Sequence, residues 1–345
     1  MHPFVSRVRT KAAPLVDPGV QRLGMTSVVF VTRSLPDPGV ELLRKAGFEV
    51  RVNQEDRSLS RDELLAEIVG VDALLCMLSD RIDVGVLESS PSLRVISNFA
   101  VGFDNIDVVA ARQRGIEVTT TPGVLTDATA DLAWSLLLAT ARRLGEGERM
   151  VRAGEWSGWA PTQLLGQPLR GQTLGIVGMG AIGQAVARRA RGFDMEIVYF
   201  NRNRVHSDVE EALGATFVSF EELLVRSDFI SLHAPLNEQS RHMFDAQAFD
   251  RMKTTAVLVN TARGALIDEA ELARVLGERR IFAAGLDVFE FEPQITDALF
   301  QLDNVLLAPH IGSASTQARG QMVRLCSENI IAVLSGQPAL TPAPG

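Results

Sequence analysis

From Ser27 onward, short runs of β-branched and aliphatic residues alternate with amphipathic stretches of helical period, and the chain does this twice. In the first series the pattern predicts strands at 28–31, 48–52, 73–78, 94–99 and 116–120, with helices at 40–46, 61–69, 84–89 and 107–114 between them. Gly47 stands where a helix C-terminal glycine belongs. A break follows at Thr121-Pro122-Gly123, and a second series begins at Thr173. Its strands are expected at 173–177, 196–200, 229–233, 256–260, 283–287 and 305–308, with a closing helix at 313–334 and a Pro/Ala-rich tail. Strands joined through helices pair in parallel, and the helices then cover both faces of the sheet. The chain of 345 residues is long enough for two such units.

Composition excludes several functions. Lys+Arg 34 against Asp+Glu 42 leaves a net charge of −8, which disfavours a duplex nucleic-acid binder or an anionic membrane-surface protein. No apolar run approaches the ~18 residues that a membrane-spanning helix needs. The two cysteines, Cys76 and Cys326, have neither metal-ligand nor CxxC spacing and fit a reducing, cytoplasmic compartment; no metal is expected. Residues 1–24 carry Arg7, Arg9, Lys11 and Arg22 against Asp17 without an apolar core, and are expected to form a disordered extension or to precede a start at Met25. A helix expected over 126–144 is apolar on nearly all sides, which implies a cover beyond its own domain, either the other domain or a second subunit.

Gly178-Met179-Gly180-Ala181-Ile182-Gly183 follows the strand at 173–177 and opens a helix. Alone, a GxGxxG string is weak. Between a strand and a helix it is the dinucleotide fingerprint: Gly178 for the tight turn, Gly180 for approach to a pyrophosphate, Gly183 for close helix–strand packing. Twenty-three residues past Gly178 the next strand ends in Asn201-Arg202-Asn203-Arg204, with no carboxylate to accept a ribose 2′-hydroxyl. Asn201, Arg202 and Arg204 point instead to a 2′-phosphate, hence NADP(H) preferred with NAD(H) as the alternative.

Open α/β sheets bind ligands beyond the carboxyl ends of their strands. Asn260-Thr261-Ala262-Arg263-Gly264, Asp287 through Glu292-Pro293, and Pro309-His310-Ile311-Gly312 each follow a later strand, bringing an arginine, a carboxylate and a histidine to one edge. Each alone has a bland explanation. Beside a nicotinamide site they form a set suited to a reductase.

These segments resemble the signatures of the D-isomer-specific 2-hydroxyacid dehydrogenases, over about 25–336. Val101-Gly102-Phe103-Asp104-Asn105-Ile106-Asp107 matches the family loop whose amides hold the substrate carboxylate. Within the family, Leu75-Cys76-Met77-Leu78-Ser79-Asp80, Thr121-Pro122-Gly123-Val124-Leu125-Thr126-Asp127 and Gly154-Glu155-Trp156-Ser157-Gly158-Trp159 are most similar to glyoxylate/hydroxypyruvate reductases. The resemblance implies that Arg263 clamps the carboxylate and polarises the carbonyl, His310 is the acid/base, and Glu292 fixes its tautomer and favours its charged form. It also implies that Val101 and Gly102 bind substrate and that Asp287, Thr261 and Ala262 meet the nicotinamide half. By the same resemblance, His233 and Pro235 are expected to border the adenosine half, and Trp159 to reach the active site of a partner in a homodimer.

The expected architecture is two doubly wound parallel-sheet α/β domains, a Rossmann cofactor domain inserted into a flavodoxin-like substrate domain. The outer domain would comprise 25–124 and 316–345 and the inner one 125–315. The expected reaction is NADPH-dependent reduction of glyoxylate to glycolate and of hydroxypyruvate to D-glycerate. Lactate-, phosphoglycerate- and phosphite-type dehydrogenases are the alternatives; formate dehydrogenases carry Gln where this chain has Glu292. A cofactor-responsive corepressor scaffold is the rival outside enzymes.

Overall fold

The computed structural model describes residues 26–36, 38–55 and 57–344. The extension expected at 1–24 lies outside them. Five strands, β1 (Val28–Val31), β2 (Glu49–Val52), β3 (Ala73–Cys76), β4 (Val95–Asn98) and β5 (Glu117–Thr119), form a wholly parallel sheet in the order β2-β1-β3-β4-β5. Seven more, β6 (Thr173–Val177), β7 (Glu196–Phe200), β8 (Ala215–Phe217), β9 (Phe229–Leu232), β10 (Val257–Asn260), β11 (Ala283–Leu286) and β12 (Val305–Leu307), form a second in the order β12-β11-β10-β9-β6-β7-β8. Every pairing in both sheets is parallel, because each crossover carries a helix or a long loop. The first order is flavodoxin-like; the second is a Rossmann order with one added strand. Strand order reverses beside β1 in the first sheet and beside β6 in the second, and open α/β sheets bind ligands outside the carboxyl ends at such a switch point.

Two elements differ from the sequence-based expectation. β8 was not anticipated: three residues at a sheet edge carry too little pattern to register. The helix expected over 126–144 stops at Ala141, because Arg143 adopts a left-handed conformation (φ 53°) that no helix continues through. A separate helix, Leu144–Arg152, follows.

The Thr126–Ala141 helix is covered chiefly by its own domain. It packs on the Ala181–Ala190 helix and on β10 and β11. The Trp134 indole donates to the Val186 carbonyl at 3.0 Å and stacks on Phe193. Exposed apolar residues lie beyond it, at Leu144, Val151, Trp156, Trp159 and Leu165.

The chain returns to the first sheet at its end. The Thr316–Leu334 helix packs along β4 and on the Gly39–Lys45 helix, with Cys326 and Ile330 in a core with Val29, Val31, Leu75 and Val95. The following tail pairs with β5, Ala343 donating to the Val118 carbonyl at 2.7 Å. Both ends of the described chain therefore belong to one sheet, and the second sheet is an insertion in it.

Candidate active site

The glycine loop turns directly off β6. Gly178 has φ 98°, and a Cβ there would lie 2.5 Å from the His233 carbonyl carbon and the Ala234 nitrogen. A Cβ at Gly183 would lie 2.1 Å from the Gly178 carbonyl oxygen, so loop and helix touch backbone to backbone. At Gly180, by contrast, nothing lies within 4 Å of where a Cβ would stand. Ala181 is exposed and Ile182 half-buried at the start of the Ala181–Ala190 helix, whose first turn has no side-chain cap. Open space over uncapped helix N–H groups suits a pyrophosphate, so these residues fit a dinucleotide.

Asn201, Arg202 and Arg204 share the turn after β7 but are placed differently. Asn201 Oδ1 accepts the Met179 N–H at 2.7 Å and so ties the glycine loop to β7. Arg204 is bound in two places to Glu210, Nε at 2.8 Å and Nη2 at 2.6 Å, and the Tyr199 hydroxyl donates to the same carboxylate. Arg202 is exposed, with no ion-pair partner among the described residues. Of the two arginines, Arg202 is the one not committed to another side chain.

At the ends of β9 and β10 two polar atoms are buried without a partner among the described residues: His233 Nδ1 and Thr261 Oγ1. His233 Nε2 meets Ser231 Oγ at 2.8 Å, and burial pushes the imidazole down to about 3, so this ring stays neutral near pH 7. It is unsuited to donate a proton in the neutral range. Ala262 N–H is taken by Asn260 Oδ1 at 3.0 Å, and Pro235 is exposed.

Arg263, Glu292 and His310 come together from three adjacent strand ends. His310 Nδ1 lies 2.7 Å from Glu292 Oε2, and Glu292 Oε1 accepts the Phe289 N–H at 2.9 Å. Burial opposes ionisation of Glu292, but the His310 hydrogen bond and charge, the Phe289 N–H and the Arg263 charge outweigh it and hold the carboxyl below its usual value. The imidazole is thus held by Nδ1, and Nε2 is the nitrogen left for proton exchange. His310 itself is left-handed (φ 52°). Its loop is pinned by Asp287, whose Oδ1 accepts the Ile311 N–H at 2.7 Å and Oδ2 the Gly312 N–H at 2.8 Å. Asp287, expected at the nicotinamide, therefore also anchors the histidine.

Arg263 reaches the other domain. Its Nη1 donates to the Ala262 carbonyl at 2.8 Å and its Nε to Asp104 Oδ1 at 2.9 Å. Its Nη2 lies against Gly102, where a Cβ would come within 1.7 Å. Nη2, the guanidinium nitrogen with no acceptor among the described residues, is thus the one beside the Val101–Gly102 backbone. Asn98 and Asn105 build that loop: Asn98 Nδ2 donates to the Gly102 carbonyl at 2.8 Å, and Asn105 Nδ2 to the Met77 and Asp80 carbonyls at 3.1 Å. Sequence reasoning assigned no role to Asp104, Asn98 or Asn105. All three lie in a quoted motif or at a strand end, but their partners are set only by the fold.

Trp159 stands apart from this set in an exposed segment, at 82% exposure. Among the described residues no group of three or more His, Cys, Asp or Glu could hold a metal ion, and no helix is long and apolar enough to cross a membrane.

An imidazole paired with a carboxylate, next to a guanidinium and a glycine loop that fits a dinucleotide, suits an NAD(P)-dependent oxidoreductase, and that is the class of this protein. Residues 134–312 match the model of the D-isomer specific 2-hydroxyacid dehydrogenase NAD binding domain. A glyoxylate reductase of Thermococcus kodakarensis is 51% identical over 317 residues, covering 91% of this chain and 95% of that one. A crystal structure of a protein from Thermus thermophilus superposes with TM-score 0.86 at 44% identity, covering 92% of this chain and 100% of that one. An NADPH-dependent glyoxylate/hydroxypyruvate reductase from Sinorhizobium meliloti, solved with NADP and malonate, superposes with TM-score 0.81 at 33% identity, over 92% and 97% of the two chains. The chain belongs to the D-isomer-specific 2-hydroxyacid dehydrogenase family.

Proposed function

We propose that this protein reduces glyoxylate to glycolate and hydroxypyruvate to D-glycerate, with NADPH preferred and NADH as the alternative. The observation that carries the reading is the cross-cleft site: the His310–Glu292 pair beside an Arg263 whose Nη2 abuts the Gly102 loop. Similarity to glyoxylate reductases supports the substrate class.

The substrate carboxylate is held between Arg263 and the amides of the Val101–Gly102 loop. The same guanidinium polarises the carbonyl, and its planar charged fork suits that double task. When bound, the reduced nicotinamide supplies the hydride. His310 Nε2 gives its proton to the carbonyl oxygen, and Glu292 stabilises the ring in the required orientation. In the reverse direction His310 takes the hydroxyl proton. Gly178, Gly180, Ala181, Ile182 and Gly183 would cradle the pyrophosphate, Arg202 the 2′-phosphate, and Thr261, Ala262 and Asp287 the nicotinamide half, with His233 and Pro235 along the adenosine half. Arg204, held by Glu210, braces the turn that carries Arg202.

The substrate-binding domain in this reading comprises 25–124 and 316–345, and the cofactor domain 125–315. The apolar surface of Leu144, Val151, Trp156, Trp159 and Leu165 supports a homodimer in which Trp159 borders the partner's site. Buried thiols at Cys76 and Cys326 support a reducing, cytoplasmic setting.

The test is NADPH and NADH oxidation followed against a panel of 2-oxo acids. Turnover of glyoxylate and hydroxypyruvate, faster with NADPH, is expected. A strong preference for pyruvate, or for NADH, would move the protein to another branch. No turnover with any 2-oxo acid would favour the scaffold reading.

A further inference from the structure

Glu269 opens the Glu269–Gly277 helix and is only 5% exposed, yet it pairs with no cation among the described residues. Both of its oxygens accept backbone N–H groups from another segment: Oε2 from Glu290 at 2.8 Å and Oε1 from Thr296 at 2.7 Å. Burying a carboxylate is expensive unless its oxygens are satisfied. The helix does not need it, since Asp268 already caps the first turn by accepting the Glu271 N–H at 3.0 Å. The carboxylate is spent on the 290–296 loop, and the two amides it holds stand on either side of Glu292 in the chain.

The loop is braced from two further directions. A Cβ at Gly264 would lie 1.9 Å from the Phe289 carbonyl carbon, so the segment bearing Arg263 packs backbone to backbone against the one bearing Glu292. The Glu290 carboxylate meets His242 Nε2 at 2.6 Å and accepts from Arg241 Nη1 at 3.4 Å. Across the pair, Asp287 holds the His310 loop in the same manner, through two amides. Each half of the acid/base pair hangs from a buried carboxylate.

We propose that Glu269 is a positioning residue for Glu292, fixing the loop so that Glu292 Oε2 stays within hydrogen-bond reach of His310 Nδ1. This rests on the reading of His310 and Glu292 as the acid/base pair. The clamp touches neither the glycine loop nor the Val101–Gly102 backbone. Its loss therefore slows the chemical step and leaves substrate and cofactor binding intact.

The experiment compares Glu269→Ala and Glu269→Gln, alone and with Glu292→Gln, in single-turnover reduction of glyoxylate by NADPH. Substrate KM and NADPH affinity are measured alongside. Glu269→Ala is expected to slow turnover about 10–100-fold, with KM and NADPH affinity within about threefold. Glu269→Gln keeps one acceptor oxygen and is expected to lose about 3–10-fold, a partial rescue; should the alanine variant not fold, this variant carries the test. In the Glu292→Gln background, Glu269→Ala is expected to cost less than about threefold more. Parental turnover in Glu269→Gln or Glu269→Ala, or full additivity with Glu292→Gln, overturns the clamp. Parental turnover in Glu292→Gln alone overturns the acid/base reading instead.

Discussion

Replacing Glu292 by glutamine changes one charge and the sense of one hydrogen bond while keeping the shape of the side chain. The glutamine Oε1 can still accept the Phe289 N–H, which Glu292 takes at 2.9 Å. Its amide nitrogen then faces His310 Nδ1, where the carboxylate stood at 2.7 Å. An amide N–H there requires an unprotonated Nδ1, so the charged imidazole loses its partner. A hydrogen bond to a charged group contributes about 1.5–3 kcal/mol. The two side chains are each about one-third exposed, 33% and 34%, and solvent screening brings the estimate to about 2 kcal/mol, or roughly 30-fold in rate. Single-turnover reduction of glyoxylate by NADPH at neutral pH is the assay. The expected result is a fall of that size with KM within about threefold, since Arg263 and the Gly102 loop are untouched. A rate within about threefold of the parent would refute the role given to the pair.

Arg202→Ala should raise the KM for NADPH about tenfold and leave that for NADH unchanged, whereas Arg204→Ala, which frees Glu210, should chiefly lower the melting temperature. His233 is held neutral down to about pH 3, while the unfolded chain takes up its proton near the ordinary value of 6.5. Its contribution to stability is therefore complete above 6.5 and is lost as pH falls toward 3, and His233→Asn should flatten the decline of melting temperature across that window. Trp159→Ala should alter the relative turnover of bulkier 2-oxo acids, and sedimentation of the parent should give twice the monomer mass; a monomer at working concentration would remove the partner role of Trp159.

Local pattern carried the fold because both sheets are wholly parallel, and each parallel crossover leaves a helical segment between two apolar runs. The elements that escaped are those without such a pattern. β8 is three residues long, and the helix break at Arg143 uses a left-handed arginine where glycine would have announced it. Arg263, Glu292 and His310 were legible because each follows a strand, and strand ends of an open α/β sheet converge. The groups that hold them were not. Asp104 lies 159 residues from Arg263 in the chain, and Glu269 grips amides 21 and 27 residues onward. A carboxylate bound to backbone N–H groups has no partner side chain for a sequence reading to notice. The turn after β7 shows the opposite limit: Asn201, Arg202 and Arg204 read as one anion site, but Glu210 claims one arginine and the glycine loop claims the asparagine.

His310 is proposed to move the proton in NADPH-dependent reduction of glyoxylate. This role is tested most directly by following NADPH absorbance with glyoxylate for the parent protein and for His310→Ala, with NADPH affinity checked by fluorescence. Rapid oxidation by the parent and a loss of about 10²–10⁴-fold in the variant are expected, with NADPH still bound. Near-parental turnover in His310→Ala, or no glyoxylate-dependent oxidation by the parent, would contradict it.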